Sequence, residues 1–174
     1  LYTSRDHITR RQILKNVAEQ VRETVNFAVP EDNGMNYIDR VETDWAFRIQ
    51  LPIGTNVPFH CTASGKCFLS SLKKREINGI LSSIKLEAIT EKTHVTPEGL
   101  MQELNQIKKQ GYALDKEEFM EGMIAIAVPI KDREDRFVGA LAFHGPTQRI
   151  SIENAVERRD ILLSASQKLR EHLF

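Results

Sequence analysis

The sequence predicts an α+β domain built on one antiparallel sheet. Three observations carry this. β-Branched and alternating segments fall into two groups, one before and one after a helical middle. The first group contains Asn33-Gly34, a strong hairpin signal. Amphipathic helical periodicity brackets the whole at both ends. With 174 residues, 41% of them hydrophobic, the chain is long enough for one full core, and one domain is expected.

The elements follow in order. Leu14, Val17, Val21 and Val25 recur at spacings of three and four, predicting a helix over residues 8–22. "TVNFAVP" (24–30) reads as a strand and "NYIDRVE" (36–42) as its return, with Tyr37, Asp39 and Val41 facing opposite to Ile38 and Arg40. "WAFRIQL" (45–51) is expected to form a third strand, closed by Pro52, Gly54 and Pro58. From Thr62 the pattern turns helical, with Cys67, Phe68 and Leu72 on one face, and a second short helix is expected over 73–82. Thr96 is a good N-cap, Pro97 suits the first helical position, and Leu100, Leu104 and Ile107 make a stripe that Gly111 ends. "YALDKEE" (112–118), "MIAIAVPIK" (123–131) and "FVGALAFHG" (137–145) are three further strands, the last two joined by the charged turn 132–136. Ser151 caps a long final helix whose stripe is Ile152, Ala155, Val156, Leu162, Leu163, Leu169 and Leu173. The count is six strands, with no repeat or low-complexity segment to mark a second domain.

Composition removes several classes of function. The 24 Lys and Arg balance the 24 Asp and Glu, so no basic excess argues for direct binding of nucleic acid or an anionic membrane. Two cysteines in a chain of this size read as free thiols in a reducing cytosol, and a cytoplasmic location is expected. No apolar run approaches the length of a membrane span, and no secretory signal is visible. The chain begins at Leu1 and not at methionine, which leads us to expect a piece of a longer protein.

The run "PFHCTASGKCFLSSL" (58–72) concentrates the chemistry. It is not a phosphate loop: His60 stands where that motif needs a glycine, and Cys67 where it needs a serine or threonine. His60, Cys61, Cys67 and His94 are zinc-ligand types, with Asp115 or His144 available to complete a set, but two cysteines six positions apart do not have a zinc-finger spacing. Buried thiols and a satisfied histidine are the plainer reading. A cysteine nucleophile needs an oriented histidine, and His60 and Cys61, as neighbours in extended chain, point to opposite sides. In the acidic run, Glu117 and Glu121 read as solvated, whereas Asp115 ends an apolar strand and is expected to be partly buried. What remains is the row of small residues Thr62, Ala63, Ser64 and Gly65 leading into a helix. Small side chains let an anion reach the free N–H groups of the first turn, where the helix dipole favours it. The stretch is thus a candidate carboxylate receptor without catalytic machinery.

Several segments together resemble the effector-binding domain of IclR-type bacterial transcriptional regulators: "ETVNFAV" (23–29), "GTNVPFHCTASGKCFL" (54–69), "GYALDKEE" (111–118) followed by Gly122, "IAVPIKD" (126–132) and "GALAFHGPTQRI" (139–150). The resemblance covers nearly the whole chain in order. It implies a curved six-stranded antiparallel sheet with helices on both sides, related to GAF and PAS sensor domains, with 1–22 as the helix leading in and 23–174 as the effector-binding domain. It also implies a winged helix-turn-helix domain lying outside this chain, through which alone operator DNA would be bound, and assembly into homodimers or dimers of dimers. Carried over by position, the pocket would use Ala46 and Ile49, then Ala63 and Ser64 at the helix start, then Asp115, Met123 and Ala125, and finally Ala142 and His144. The N–H groups near Ala63 and Ser64 would hold the carboxylate of a small organic acid, and Asp115 would take a hydroxyl, hydrated carbonyl or water. Members that sense very small oxoacids tend to carry hydroxyl side chains where this chain has Ala142 and His144, which points to a larger or aromatic acid. His144 would either donate to the ligand or pack under the helix. No catalytic step, cofactor or metal is expected. Because some relatives hold a metal in this pocket, the rival reading is a metal- or cysteine-dependent enzyme using His60, Cys61, Asp115 and His144; a third is a dimerisation module with a vestigial pocket.

Overall fold

The computed structural model describes residues 4–51 and 53–174. The expected Pro52 loop marker lies outside the described residues. The first helix, α1 (Ser4–Val21), is followed by β1 (Thr24–Glu31), β2 (Gly34–Val41) and a two-residue β3 (Asn56–Val57). Three helices come next: α2 (Ala63–Ser70), α3 (Lys74–Ser83) and α4 (Pro97–Gln110). Then follow β4 (Ala113–Lys116), β5 (Met123–Lys131), β6 (Phe137–Pro146), α5 (Ile152–Glu157) and α6 (Arg159–Leu173). The strands form one antiparallel six-stranded sheet in the order β3-β2-β1-β6-β5-β4, with helices on both sides. The two strand groups therefore meet at β1 and β6.

The two faces of the sheet differ in what they bury. Large side chains fill one: Val25, Phe27, Ile126, Leu141 and Phe143 pack against Leu14, Val17 and Val21 of α1 and Leu162 and Leu169 of α6. Arg10 of α1 reaches Asp39 on β2 at 3.0 Å, adding a buried ion pair to that layer. The other face is paved with alanine, namely Ala28, Ala113, Ala125, Ala127, Ala140 and Ala142, against which α2 and α4 lie. Small residues let α2 come close to the sheet, which puts its first turn over the strands.

Local signals end the helices where expected. Thr96 Oγ1 accepts from Gly99 N at 3.2 Å, and Gly111 takes the left-handed φ of 86° that stops α4.

Three expectations are corrected. Residues 45–51 are not a strand; the third strand is the short β3 further on. Side chains take carbonyls of 45–51: Phe47 O accepts from Arg149 Nη1 at 2.7 Å, and Ile49 O bonds the His144 ring at 3.0 Å. Trp45 is half exposed between the guanidiniums of Arg22 and Arg149, 5.3 and 5.1 Å from its ring. Second, β2 does not keep one alternation. The β1–β2 register shifts between Phe27 and Ala28, leaving Ile38 as the extra residue, so Tyr37 pairs with Ala28 but Arg40 pairs with Asn26. Tyr37 and Arg40 therefore share the alanine face, while Asp39 turns to α1. Third, the final helix is broken at Arg158 into α5 and α6, and Leu163 is exposed rather than part of the stripe.

Gly65 is fixed by a close approach. A Cβ there would lie 2.5 Å from Phe59 O and 2.6 Å from Phe59 Cα, because the 58–62 loop passes directly over α2. Gly65→Ala is expected to lower stability by about 1–3 kcal/mol, read from urea unfolding, while Gly79→Ala, with nothing near its added Cβ, stays within about 0.5 kcal/mol of the native value or gains.

Candidate functional site

The site begins at the first turn of α2. Thr62 has extended backbone and caps the helix, its Oγ1 accepting from Gly65 N at 3.0 Å and donating to Pro58 O at 2.8 Å. The N–H groups of Ala63 and Ser64 come before the first intrahelical bond, and no acceptor among the described residues takes them. Ser64 Oγ is also buried without a hydrogen-bond partner; the Tyr37 phenol is its polar neighbour. Unmet donors in a dry wall are rare in native proteins, and their concentration at a helix start marks a place built for an acceptor.

Beneath this turn lies a small cavity, with room for the centre of a water-sized sphere in only ≈ 10 Å³, about one water's worth. Seven of the nine residues expected from the sequence line it: Ala63, Ser64, Asp115, Met123, Ala125, Ala142 and His144. The other two do not. Ala46 is exposed on the irregular stretch 42–51, and Ile49 touches the site through its carbonyl bond to His144. Both were carried over from the resemblance, on a stretch expected to be a strand. Asn26, Tyr37 and Phe119 line the cavity and were missed. A lone amide inside an apolar strand was a usable signal for Asn26. Phe119 was hidden in an acidic run, and Tyr37 needs the register of the sheet to be placed.

Asp115 is 1% exposed, and burial pushes its carboxyl up to about 7. Its Oδ1 accepts from Glu118 N at 2.7 Å, so the same carboxyl shapes the 115–118 turn. His144 answers the question of its role differently from either expectation. Its Nε2 faces Ile49 O at 3.0 Å and therefore carries the proton, because a carbonyl can only accept. Asn26 Oδ1 accepts from Arg40 Nε at 2.7 Å, which turns its amide NH₂ toward His144 Nδ1 at 2.9 Å, and that nitrogen accepts. Both ring nitrogens are engaged, and burial holds the ring well below its usual range, at about 4. His144 is thus a neutral tether for the stretch 42–51.

The metal set weighed from the sequence is not assembled. His60 Nε2 is 2.8 Å from Glu87 O, spent on a loop. Among the described residues, the group of three ligand-type atoms lying close together is His94, Glu103 and Glu118. Lys66, completely buried, already bonds both carboxylates: Glu118 at 2.8 and 2.9 Å and Glu103 at 3.0 Å, besides Leu114 O at 2.6 Å. Burial pushes the thiols of Cys61 and Cys67 up to about 12, so neither offers a thiolate at neutral pH.

A six-stranded antiparallel sheet with helices on both sides is a fold of the PAS and GAF kind. The chain matches the family described as bacterial transcriptional regulator IclR, C-terminal, over residues 2–171, and it belongs to that family. The transcriptional repressor IclR of Escherichia coli is 33% identical over 90% of this chain and 58% of its own. The crystal structure of the C-terminal domain of the E. coli regulator KdgR superposes with a TM-score of 0.84 at 28% identity, covering 94% of this chain and 95% of that one. An IclR homolog from Microbacterium hydrocarbonoxydans, solved in complex with 4-hydroxybenzoate, shares the fold with a TM-score of 0.84 at 24% identity, over 96% of this chain and 67% of that one. The chain spans little more than half the length of the curated relatives it matches.

Lys66 gives a test of how the site is held. Lys66→Met strands Glu118 in the core and is expected to cost about 3–5 kcal/mol, whereas the double variant Lys66→Met, Glu118→Leu recovers much of it. Urea unfolding of the two single variants and the pair completes the cycle.

Proposed function

We propose that this chain is the small-molecule-sensing part of an IclR-type transcriptional regulator and that its ligand is a small carboxylic acid. Residues 23–174 form the sensing unit and 1–22 lead into it. Operator DNA is contacted through a domain outside this chain, and the regulator works in the bacterial cytoplasm as a homodimer or dimer of dimers. The observation that carries the reading is the set of unmet donors at the start of α2, the N–H groups of Ala63 and Ser64 with Ser64 Oγ, aimed into a buried cavity. A carboxylate supplies acceptors for all of them and is favoured by the helix dipole. Met123, Ala125, Ala142 and Phe119 supply the apolar wall. A homologue of the same fold in complex with 4-hydroxybenzoate supports an acid of this kind. The buried, high-pKa thiols and the committed Lys66 carboxylate cluster speak against the rival enzyme.

The tightness of the cavity gives the sensing mechanism. An acid larger than a water enters only if a wall moves. The part that yields is the stretch 42–51, which meets the cavity through the His144 bond to Ile49 O and which Arg149 also holds at Phe47 O. Binding then favours a displaced segment over the closed one, and that difference in affinity is what shifts an assembly or its grip on DNA.

Calorimetry with a panel of small carboxylic acids tests the reading. Ser64→Trp fills the cavity and is expected to weaken every acid that binds by about tenfold or more. Equal binding to the native chain and this variant would move the site elsewhere. Asp115 adds a pH dependence with a definite sign. Its carboxyl is neutral below about 7 and able to donate to an anion; above that it is ionised and repels one. Affinity should fall about tenfold between pH 6 and pH 8, and the fall should vanish in Asp115→Asn.

A further inference from the structure

One buried charge is left over. Arg40 is only 6% exposed, its Nε donates to Asn26 Oδ1 at 2.7 Å, and its Nη2 is buried with no partner. No carboxylate among the described residues lies within ion-pair distance of it. The chain treats its other enclosed guanidiniums differently: Arg10 and Arg11 share Asp39 at 3.0 and 2.7 Å, and Arg149 grips Glu23 at 2.6 Å. A guanidinium taken out of water without an anion is costly, and burial depresses the Arg40 pKa accordingly. The nearest negative group, Glu42, is half exposed and points to Arg48 at 3.5 Å. Arg40 is therefore short of a counter-ion that the chain itself does not provide.

Its position says where that anion comes from. The Arg40 guanidinium stands 5.4 Å from the centre of the Tyr37 ring, and Tyr37 lines the cavity with Ser64 beside its phenol. Asn26, which Arg40 holds, lines it too. On its outer side Arg40 borders a groove of ≈ 360 Å³ with Glu42, Gln50, Leu51 and Ile53, beneath the segment that His144 tethers. The α2 start and Arg40 are thus two anion receptors that share Tyr37 as a neighbour, with a groove open to solvent at the Arg40 end. We propose that the ligand of this site is a diacid: one carboxylate caps the first turn of α2 and the second meets the unpaired face of Arg40. This rests on the carboxylate reading of the α2 start. The fork of a guanidinium matches a carboxylate with two parallel hydrogen bonds, and the Nη1–Nη2 edge is the one left available, since Nε is spent on Asn26. Arg40 then selects among acids, and its neutralisation supplies binding energy that a monoacid cannot claim.

Calorimetry on this chain with length-matched pairs, butanoate against butanedioate and pentanoate against pentanedioate, reads the proposal. At least one diacid should bind the native chain about tenfold or more tightly than its monoacid partner. Arg40→Gln should erase the diacid's advantage, bringing the ratio of diacid to monoacid affinity to about one whatever happens to either acid alone; circular dichroism and urea unfolding show separately that the variant is folded, and Arg40→Lys should fall between. Ser64→Trp should weaken both. A diacid preference that survives Arg40→Gln, or equal binding of mono- and diacids to the native chain, overturns the role of Arg40; with both still sensitive to Ser64→Trp, the carboxylate reading stands. Failure of every acid to bind the native chain sinks that reading, and the diacid with it.

Discussion

The site exists because a lysine is buried where α2 meets the β4 turn. Lys66 Nζ has four oxygen partners within 3.0 Å, from Glu118, Glu103 and Leu114. A charge in the core is tolerated only with such complete compensation, and the geometry that supplies it is narrow. Lys66 lies three residues after Ala63, so fixing its head fixes the depth and rotation of the first helical turn. Glu118, in turn, belongs to the turn whose N–H groups Asp115 accepts, with Glu117 held in a left-handed conformation at φ 59° and the 117 and 118 carbonyls gripped by Thr90 and Thr93. One ion pair thereby sets the helix start above Asp115 and places donors and carboxyl on opposite sides of the same small space.

Around that anchor the polar groups sort into satisfied and unsatisfied. Thr62, His60 and His144 have every relevant partner met inside the chain. Ser64 Oγ and Arg40 Nη2 do not: Ser64 lines the cavity, and Arg40 adjoins it through the lining residues Asn26 and Tyr37. Folding alone gives no reason to bury such groups unpaired, because each costs desolvation that nothing returns. Binding does give one. Alanine paving lets α2 settle onto the sheet, which leaves the space beneath its first turn about one water in size.

The relation between sequence and structure can be followed residue by residue. Helix ends were legible because caps are local: Thr96, Gly111 and Ser151 act within three or four residues of themselves. Strands β1, β5 and β6 were legible from apolar runs. The third strand failed because alternation in 45–51 records an aromatic, half-exposed segment whose carbonyls are taken by Arg149 and His144, residues about a hundred positions away. The resemblance to the IclR-type domain named seven residues that line the cavity, together with Ala46, which is exposed.

Composition, periodicity and local caps thus settled the class of fold, the element order and the small-residue helix start, since each rests on interactions within one turn or one strand. Tertiary structure alone decided which polar groups are met. Lys66 became a structural pin because Glu118 and Glu103 converge on it from two other parts of the chain. Arg40 came to the site face because a single extra residue, Ile38, in the β1–β2 ladder reverses the alternation of β2, and no pattern within that strand announces a bulge whose cause is its pairing with a neighbour.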